Sequence, residues 1–218
     1  MKSTVLSIML FSLTLIPGVS QAQFHVDPIG GPAGPGMGMM QPRRVGFIHE
    51  FSGVVSGLTG EGKQDFVAGA GGYYSGLFRS NPNFAFGIHA GVSGATSVDG
   101  FGNIVHGVVA GEARIYIPLG PMMEMWGSLV VGGGSLKEIW TEDDGTETGN
   151  TRTGPVFGAG AGISWFISPN ISVGGFFRLY RLMWKDDGVV EFEDGTEYSE
   201  SDYYGLWWTV GGFVALHY

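Results

Sequence analysis

The sequence predicts an all-β fold, an eight-stranded antiparallel up-and-down transmembrane β-barrel. Glycine accounts for 40 of the 218 residues, and each glycine inside a helix costs about 1 kcal/mol relative to alanine. Segments of about ten residues alternate apolar with small or polar side chains, as strands with two different faces do. The connections between them alternate between long and short along the chain, which is typical of a barrel with two unlike ends.

The composition excludes several functional classes. The chain has no cysteine, so it contains neither a disulfide framework nor a thiolate-ligated metal. Acidic residues outnumber basic ones, 20 to 11, which argues against nucleic acid as a partner because phosphate binding needs clustered lysine and arginine. We predict no cofactor and no metal site.

The first 22 residues have the pattern of a secretory signal peptide. Lys2 is followed by a mostly apolar run over residues 5–16, and Ser20 and Ala22 fit the small residues of a cleavage site. The run is too short to span a bilayer, which needs about 20 residues.

Residues 23–44 are rich in glycine, proline and methionine and show no apolar period. This composition predicts a flexible leader. The barrel itself is predicted over residues 45–218.

The barrel region divides into eight alternating segments joined by seven connections. The predicted strands are residues 45–55, 66–77, 84–95, 104–117, 122–136, 153–167, 171–184 and 203–218. The short, proline-bearing connections are residues 79–83, 118–121 and 168–170, and the long polar ones are 56–65, 96–103, 137–152 and 185–202. An up-and-down barrel places all long loops at one end, and all tight turns with both termini at the other.

The polarity of the two strand faces indicates a membrane barrel. In segment 104–117 the odd positions are all apolar or glycine, whereas the even positions include His106, Glu112 and Arg114. A soluble lipocalin-like carrier would place its apolar residues inward and its lysines and glutamates on the outer strand face. Here the charges gather in the loops, which favours apolar side chains facing lipid and polar ones facing the lumen. The faces of segment 66–77 are ambiguous because both consist of small or apolar residues.

Aromatic residues lie near the predicted strand ends, where rings at a membrane interface are expected. This predicted aromatic belt comprises Tyr73, Tyr74, Phe78, Phe84, Trp140, Trp165, Trp184, Tyr203, Tyr204, Trp207 and Tyr218.

A signal peptide, eight such strands and a terminal aromatic together resemble the small outer-membrane β-barrels of Gram-negative bacteria, of the OmpA and OmpX kind. The alternating residues Val214, Leu216 and Tyr218 are similar to that family's C-terminal assembly signal. The resemblance implies insertion by the barrel-assembly machinery, a place in the bacterial outer membrane, and contact with outer-membrane lipid and lipopolysaccharide. Leu216 stands where the family often has a second aromatic, and the leader has no counterpart in its smallest members.

Charged and histidine side chains on the inward positions form the candidate lumen network. Its members are Glu50, His89, His106, Glu112, Arg114, Glu124 and Arg178. Eight strands enclose an interior that side chains just fill, and ion pairs there must be matched. In the resembled family such networks occlude the barrel, and in some members they are proposed to gate narrow conductance. Gly158, Gly160 and Gly162 share the inward face and would leave room for Arg114 or Arg178.

The acidic residues concentrate in two loops. Residues 137–152 and 185–202 hold 13 of the 20 acids, and both contain an Asp-Gly-Thr-Glu sequence. Asp-Gly between β-forming residues predicts a hairpin turn. The carboxylates also allow contact with a divalent cation or attraction of a cationic surface partner. The candidate cation contacts are Asp143, Asp144, Glu147, Glu193, Asp194 and Glu197.

Three functions follow from these features. The favoured one is a structural or surface-interaction role through acidic extracellular loops. The second is a narrow gated channel for ions or small solutes. The third is a lipid-A-modifying enzyme, and we predict no enzymatic activity because no His-x-Ser pair stands in register with an acid.

Overall fold

The chain forms a closed barrel of eight strands, as the sequence predicts. This computed structural model describes residues 42, 44–98, 100–141, 146–183, 189–191, 197–199 and 205–218, with backbone alone for Gly62, Glu147 and residues 189–191 and 197–199. The predicted signal peptide and nearly all of the predicted leader lie outside the described residues. Within the described ranges, no helix has the length and apolarity needed to cross a bilayer.

The barrel strands are all antiparallel and pair with their sequence neighbours. They are β1 Gly46–Leu58, β2 Phe66–Asn81, β3 Phe84–Ser97, β4 Gly102–Pro118, β5 Met123–Thr141, β6 Glu147–Ser168, β7 Ile171–Leu182 and β10 Trp207–His217. Two short strands, β8 Val189–Glu191 and β9 Glu197–Ser199, form a separate hairpin within the last connection. A 3-10 helix, Glu61–Gln64, lies between β1 and β2. The short connections and the N-terminal end of β1 lie at one end, which we call the turn end, and the opposite end is the loop end.

The ring closes where the first strand meets the last. The β1–β10 ladder runs from Ile48 opposite His217 to Leu58 opposite Trp207. One further rung lies at the turn end, where Phe47 N donates to Tyr218 O at 3.0 Å and Tyr218 N donates to Phe47 O at 2.8 Å. The sheet therefore has no open edge along this seam, as a sheet in hydrocarbon requires.

Burial alternates along the strands in the predicted sense. On the outer face of β4 and β5, Val109, Ile115 and Leu129 are 71%, 62% and 66% exposed. Their neighbours on the inner face, such as Ile104 and Glu112, are buried. The predicted assignment of apolar residues to the outside and polar ones to the inside is confirmed.

Strand β2, which corresponds to the predicted segment 66–77 with two ambiguous faces, contains an irregularity that explains this ambiguity. The β2–β3 register shifts between Ala68 and Gly71. As a result Phe66 and Tyr73 are both buried inside the barrel although their positions have opposite parity. A Cβ on Gly71 would lie 2.3 Å from the Val92 carbonyl oxygen, so only glycine allows this close approach beside the bulge.

Strands β5 and β6 are longer than predicted. They have 19 and 22 residues, whereas a tilted strand needs about 9–11 to cross a membrane. Their ladder continues to Thr141 opposite Glu147, so this hairpin extends at the loop end through a segment that the sequence analysis assigned to a loop. The polar residues there form strand because their backbones pair, although neither face is continuously apolar.

The predicted aromatic belt is wrong at three positions, where the ring packs inside the barrel. Tyr73 and Trp207 are 4% and 3% exposed and lie inside the barrel, because nearness to a strand end does not decide which face a side chain takes. Trp140 also packs partly buried against the interior. Trp184, Tyr203 and Tyr204 lie outside the described residues.

Candidate functional site in the barrel lumen

Four charged side chains meet in the middle of the barrel. Glu50 comes from β1, Glu112 and Arg114 from β4, and Arg178 from β7, and each is no more than 3% exposed. The two carboxylates and two guanidinium groups balance in formal charge. We call these four residues the central cluster.

Arg114 links the two carboxylates of the central cluster. Its Nη1 and Nη2 each donate to a Glu50 carboxylate oxygen at 2.7 Å, which makes a bidentate pair. Its Nε donates to Glu112 Oε1 at 2.7 Å. Charge-assisted bidentate pairs of this kind are stronger than neutral hydrogen bonds and also fix the orientation of both groups.

Glu112 is the shared acceptor. Besides Arg114, it accepts a hydrogen bond from Arg178 Nη2 at 2.6 Å and one from Ser75 Oγ at 2.8 Å. The nearest Glu50 oxygen is 4.0 Å from Arg178. Glu112 is therefore the carboxylate that directly holds both arginines.

A histidine and a tyrosine extend the network toward the loop end. His89 Nδ1 lies 2.9 Å from Ser75 Oγ, and His89 Nε2 lies 2.8 Å from the Tyr180 hydroxyl. The rings of Tyr73, His89 and Tyr180 stack, with centroids 5.1 to 6.0 Å apart. These contacts join strands β2, β3 and β7 across the lumen.

Aromatic rings and glycines make space for the arginines. The guanidinium carbon of Arg114 lies 4.2 Å from the Trp126 ring centroid, and that of Arg178 lies 5.0 Å from the Phe176 centroid. A Cβ on Gly160 would be 2.4 Å from Arg178 Cγ, and one on Gly162 would be 2.5 Å from the Trp126 ring. The structure thus places bare backbone behind Arg178 and Trp126.

A second ionic group closes the turn end. Arg79 donates from Nη1 and Nη2 to the two Glu124 oxygens at 2.9 Å and also donates to the Pro82 carbonyl oxygen. Arg44 precedes β1 and reaches the opposite wall, where its Nη2 donates to the Gly120 carbonyl oxygen at 2.7 Å. Its Nε lies 3.5 Å from Glu124.

His106 stands apart from both ionic groups. It is 1% exposed, and neither ring nitrogen has a hydrogen-bond partner. Its ring stacks on Trp207 with centroids 5.2 Å apart. The structure therefore places six of the seven predicted lumen residues in hydrogen-bonded groups and leaves His106 in an aromatic layer nearer the loop end.

The sequence analysis did not assign Arg79 to the lumen. It placed Arg79 in a turn, whereas β2 continues to Asn81 and the Arg79 side chain is fully buried. Tyr73, Ser75 and Leu77 are also buried inside the barrel. Extending that alternation by one more step would have placed Arg79 on the inner face.

The other predicted sites are only partly covered. Asp143, Asp144, Glu193 and Asp194 lie outside the described residues. Glu147 and Glu197 are described through their backbones alone, in β6 and β9. In the described part of the chain, no group of three or more potential metal-binding side chains is present.

The residues of the predicted assembly signal lie on the outer face of the last strand. Val214 and Tyr218 are 48% and 57% exposed, and Leu216 pairs with His49 across the seam.

Comparison with known proteins gives similarity at the level of structure. The sequence matches no protein-family profile, and it matches no curated protein sequence. Among solved structures, Neisserial surface protein A is similar with a TM-score of 0.55 and 10% identity, over 79% of this chain and 97% of that one. The attachment invasion locus protein Ail of Yersinia pestis, in complex with the heparin analogue sucrose octasulfate, is similar with a TM-score of 0.51 and 13% identity. That match covers 78% of this chain and 96% of Ail.

The chain has the fold of the small outer-membrane β-barrels. Like those small outer-membrane barrels, it closes eight antiparallel strands into one ring. In this eight-stranded barrel the lumen holds paired charges and stacked aromatic rings, which together form a packed interior. The arrangement can bind the strands to one another across the lumen.

Proposed function

We propose that this protein is an outer-membrane β-barrel with an occluded lumen and with acidic extracellular loops that bind basic partners at the cell surface. The observation that carries the proposal is the charge-matched filling of the lumen. It supports a structural role for the barrel and leaves the loops as the part that meets other molecules.

The pairing in the lumen argues for occlusion. Glu50, Glu112 and Glu124 each bond an arginine. Opening a path would separate these pairs and leave buried charges without partners, which costs several kcal/mol for each charge. Above them, toward the loop end, aliphatic and aromatic side chains such as Leu136 and Trp207 fill much of the interior. The Ser93 hydroxyl there is hydrogen-bonded to the Tyr73 hydroxyl and to Trp207 Nε1. Neither layer provides a continuous polar lining for an ion.

Single-channel recording tests the occlusion. We expect the refolded protein in a planar bilayer to show no discrete currents, because its lumen charges are paired and packed side chains fill its interior toward the loop end. Heat-modifiable gel mobility checks that the barrel is folded. Discrete openings whose conductance changes in Arg114→Ala would contradict occlusion and would establish the narrow gated channel instead.

Charge supports the choice of a basic partner. The loops at residues 137–152 and 185–202 carry 13 of the 20 acids of the chain. The negative electrostatic potential of these acids attracts cations and repels polyanions. Ail was solved with a sulfated heparin analogue, and we expect this chain to discriminate against such a ligand. Divalent cations bridging the carboxylates to lipopolysaccharide phosphates are a second route by which the same loops would make contact.

A loop variant tests the partner chemistry. We expect changing the eight acids of residues 185–202 to their amides to weaken binding of oligolysine to the vesicle-embedded barrel about tenfold at low salt, with a smaller salt dependence. The measurement is a titration followed by tryptophan fluorescence, with sucrose octasulfate as the anionic comparison.

The control variant carries Glu61→Gln, Asp65→Asn and Asp99→Asn, which removes acids from the other two long connections. Unchanged oligolysine binding in the eight-acid variant would refute the loop assignment. Lipopolysaccharide binding that requires Mg²⁺ and disappears in that variant would assign the loops to cation-bridged lipid contact.

A further inference from the structure

His49 is a polar exception on the outer face of β1. Phe47 and Phe51, on the same face, are 57% and 53% exposed, and His49 lies half-buried between them. Its Nδ1 is 2.8 Å from the Tyr74 hydroxyl. Its ring meets Tyr218 edge-on, with centroids 5.8 Å apart.

Gly76 allows Tyr74 to reach this histidine. Gly76 is opposite His49 in the β1–β2 ladder. A Cβ there would lie 2.8 Å from the Tyr74 hydroxyl oxygen, so the tyrosine extends along its own strand over bare backbone. The contact between His49 and Tyr74 therefore depends on the residue type at a third position.

The hydrogen bond couples the tautomer of the imidazole to the direction in which the Tyr74 hydroxyl points. When the Tyr74 hydroxyl donates to Nδ1, the neutral ring carries its proton on Nε2, which is then a donor. Apart from His49 itself, the described side chains on the outer faces of β10, β1 and β2 include no acid or base. Nε2 is the ring atom available to a ligand.

His49 also lies near the edge of the apolar band. The last rung of the seam joins Phe47 to Tyr218, and His49 is two residues further into the strand. At about 3.4 Å per residue and a strand tilt of about 40°, this is about 5 Å along the barrel axis. An ionisable side chain facing lipid at this depth needs a polar partner.

We propose that His49, Tyr74 and Tyr218 bind the headgroup of a phospholipid in the leaflet at the turn end. His49 Nε2 and the Tyr218 hydroxyl donate to phosphate oxygens, and Tyr74 holds the imidazole in the donating tautomer. The neighbouring aromatic rings pack against the lipid chains. The ring centroids of Phe51 and Tyr74 are 5.3 Å apart, and those of Phe47 and Phe78 are 5.2 Å apart. This site rests on the proposed membrane location of the barrel.

Native mass spectrometry of the detergent-solubilised barrel, titrated with phosphatidylethanolamine, tests the site. We expect His49→Phe to weaken retention of the lipid about tenfold, the effect of losing one hydrogen bond to a charged group. Tyr74→Phe should weaken it less, because the imidazole remains but its tautomer is no longer fixed. Phe86→Leu, an outer-face change on β3, should have no effect.

Diacylglycerol with the same chains separates headgroup from chain binding. We expect it to bind the wild type and His49→Phe equally. Equal retention of phosphatidylethanolamine by both proteins, or equal discrimination with diacylglycerol, would overturn the headgroup site. Gel mobility and flotation with vesicles show separately whether each variant inserts, so failure of the proposed location is distinguished from failure of the site.

Discussion

Replacing Glu112 with glutamine is expected to lower the free energy of unfolding by about 3–5 kcal/mol. The carboxylate accepts hydrogen bonds from Arg114, Arg178 and Ser75. A neutral amide leaves the buried Arg178 with its nearest remaining carboxylate, that of Glu50, 4.0 Å away. Urea unfolding in lipid vesicles, followed by tryptophan fluorescence and gel mobility, measures the change.

Two further variants separate charge from packing at this position. Glu50→Gln should cost less, because Arg114 keeps its bond to Glu112. Glu112→Gln combined with Arg178→Met removes one charge of each sign and should recover part of the lost stability. If the double variant is as unstable as the sum of its single changes, an unpaired buried charge is not the cause.

Introducing leucine at Gly160 is expected to destabilise the barrel by about 3 kcal/mol. A Cβ at this position would lie 2.4 Å from Arg178 Cγ and 3.2 Å from Ser128 Oγ. The larger side chain would push Arg178 away from Glu112 as well as overfill the lumen. The same urea unfolding assay in lipid vesicles measures the loss of stability.

Gly53 provides the matched control for this substitution. It is also a strand glycine, but a Cβ there would have nothing within 4 Å, and the position is on the outer face. Gly53→Leu should leave the barrel at least as stable as the wild type, because the added apolar side chain enters open space on the outer face and not the packed lumen. Equal losses for Gly53→Leu and Gly160→Leu would show that strand propensity, and not the space behind Arg178, sets the effect.

Local pattern was sufficient to predict the strands and most of the lumen. Successive side chains in a strand point to opposite faces, so the parity that places Glu112 and Arg114 inside also places Val109 and Ile115 outside. The same rule identified Gly160 as an inward position. These features need only the sequence of a single strand.

The remaining features depend on contacts between distant strands or on local irregularities. Nothing in the sequence indicates that Arg114 pairs with Glu50, because the two residues meet only after the barrel has closed. The bulge before Gly71 shifts the parity of β2. Arg79 was missed because Asn81, Pro82 and Asn83, which follow it, indicated a turn.

The seam between β1 and β10 has a consequence for the order of folding. Its ladder pairs residues from nearly opposite ends of the described chain, so it carries the highest loop-closure entropy of all the ladders in the ring. The other seven ladders join consecutive strands of the barrel, with the β8–β9 hairpin inserted between β7 and β10, and they can form by successive addition of strands. Until the seam closes, both β1 and β10 present unpaired edges that invite pairing with other chains. Closure of the seam is therefore the step at which an aggregation-prone sheet becomes a kinetically protected barrel.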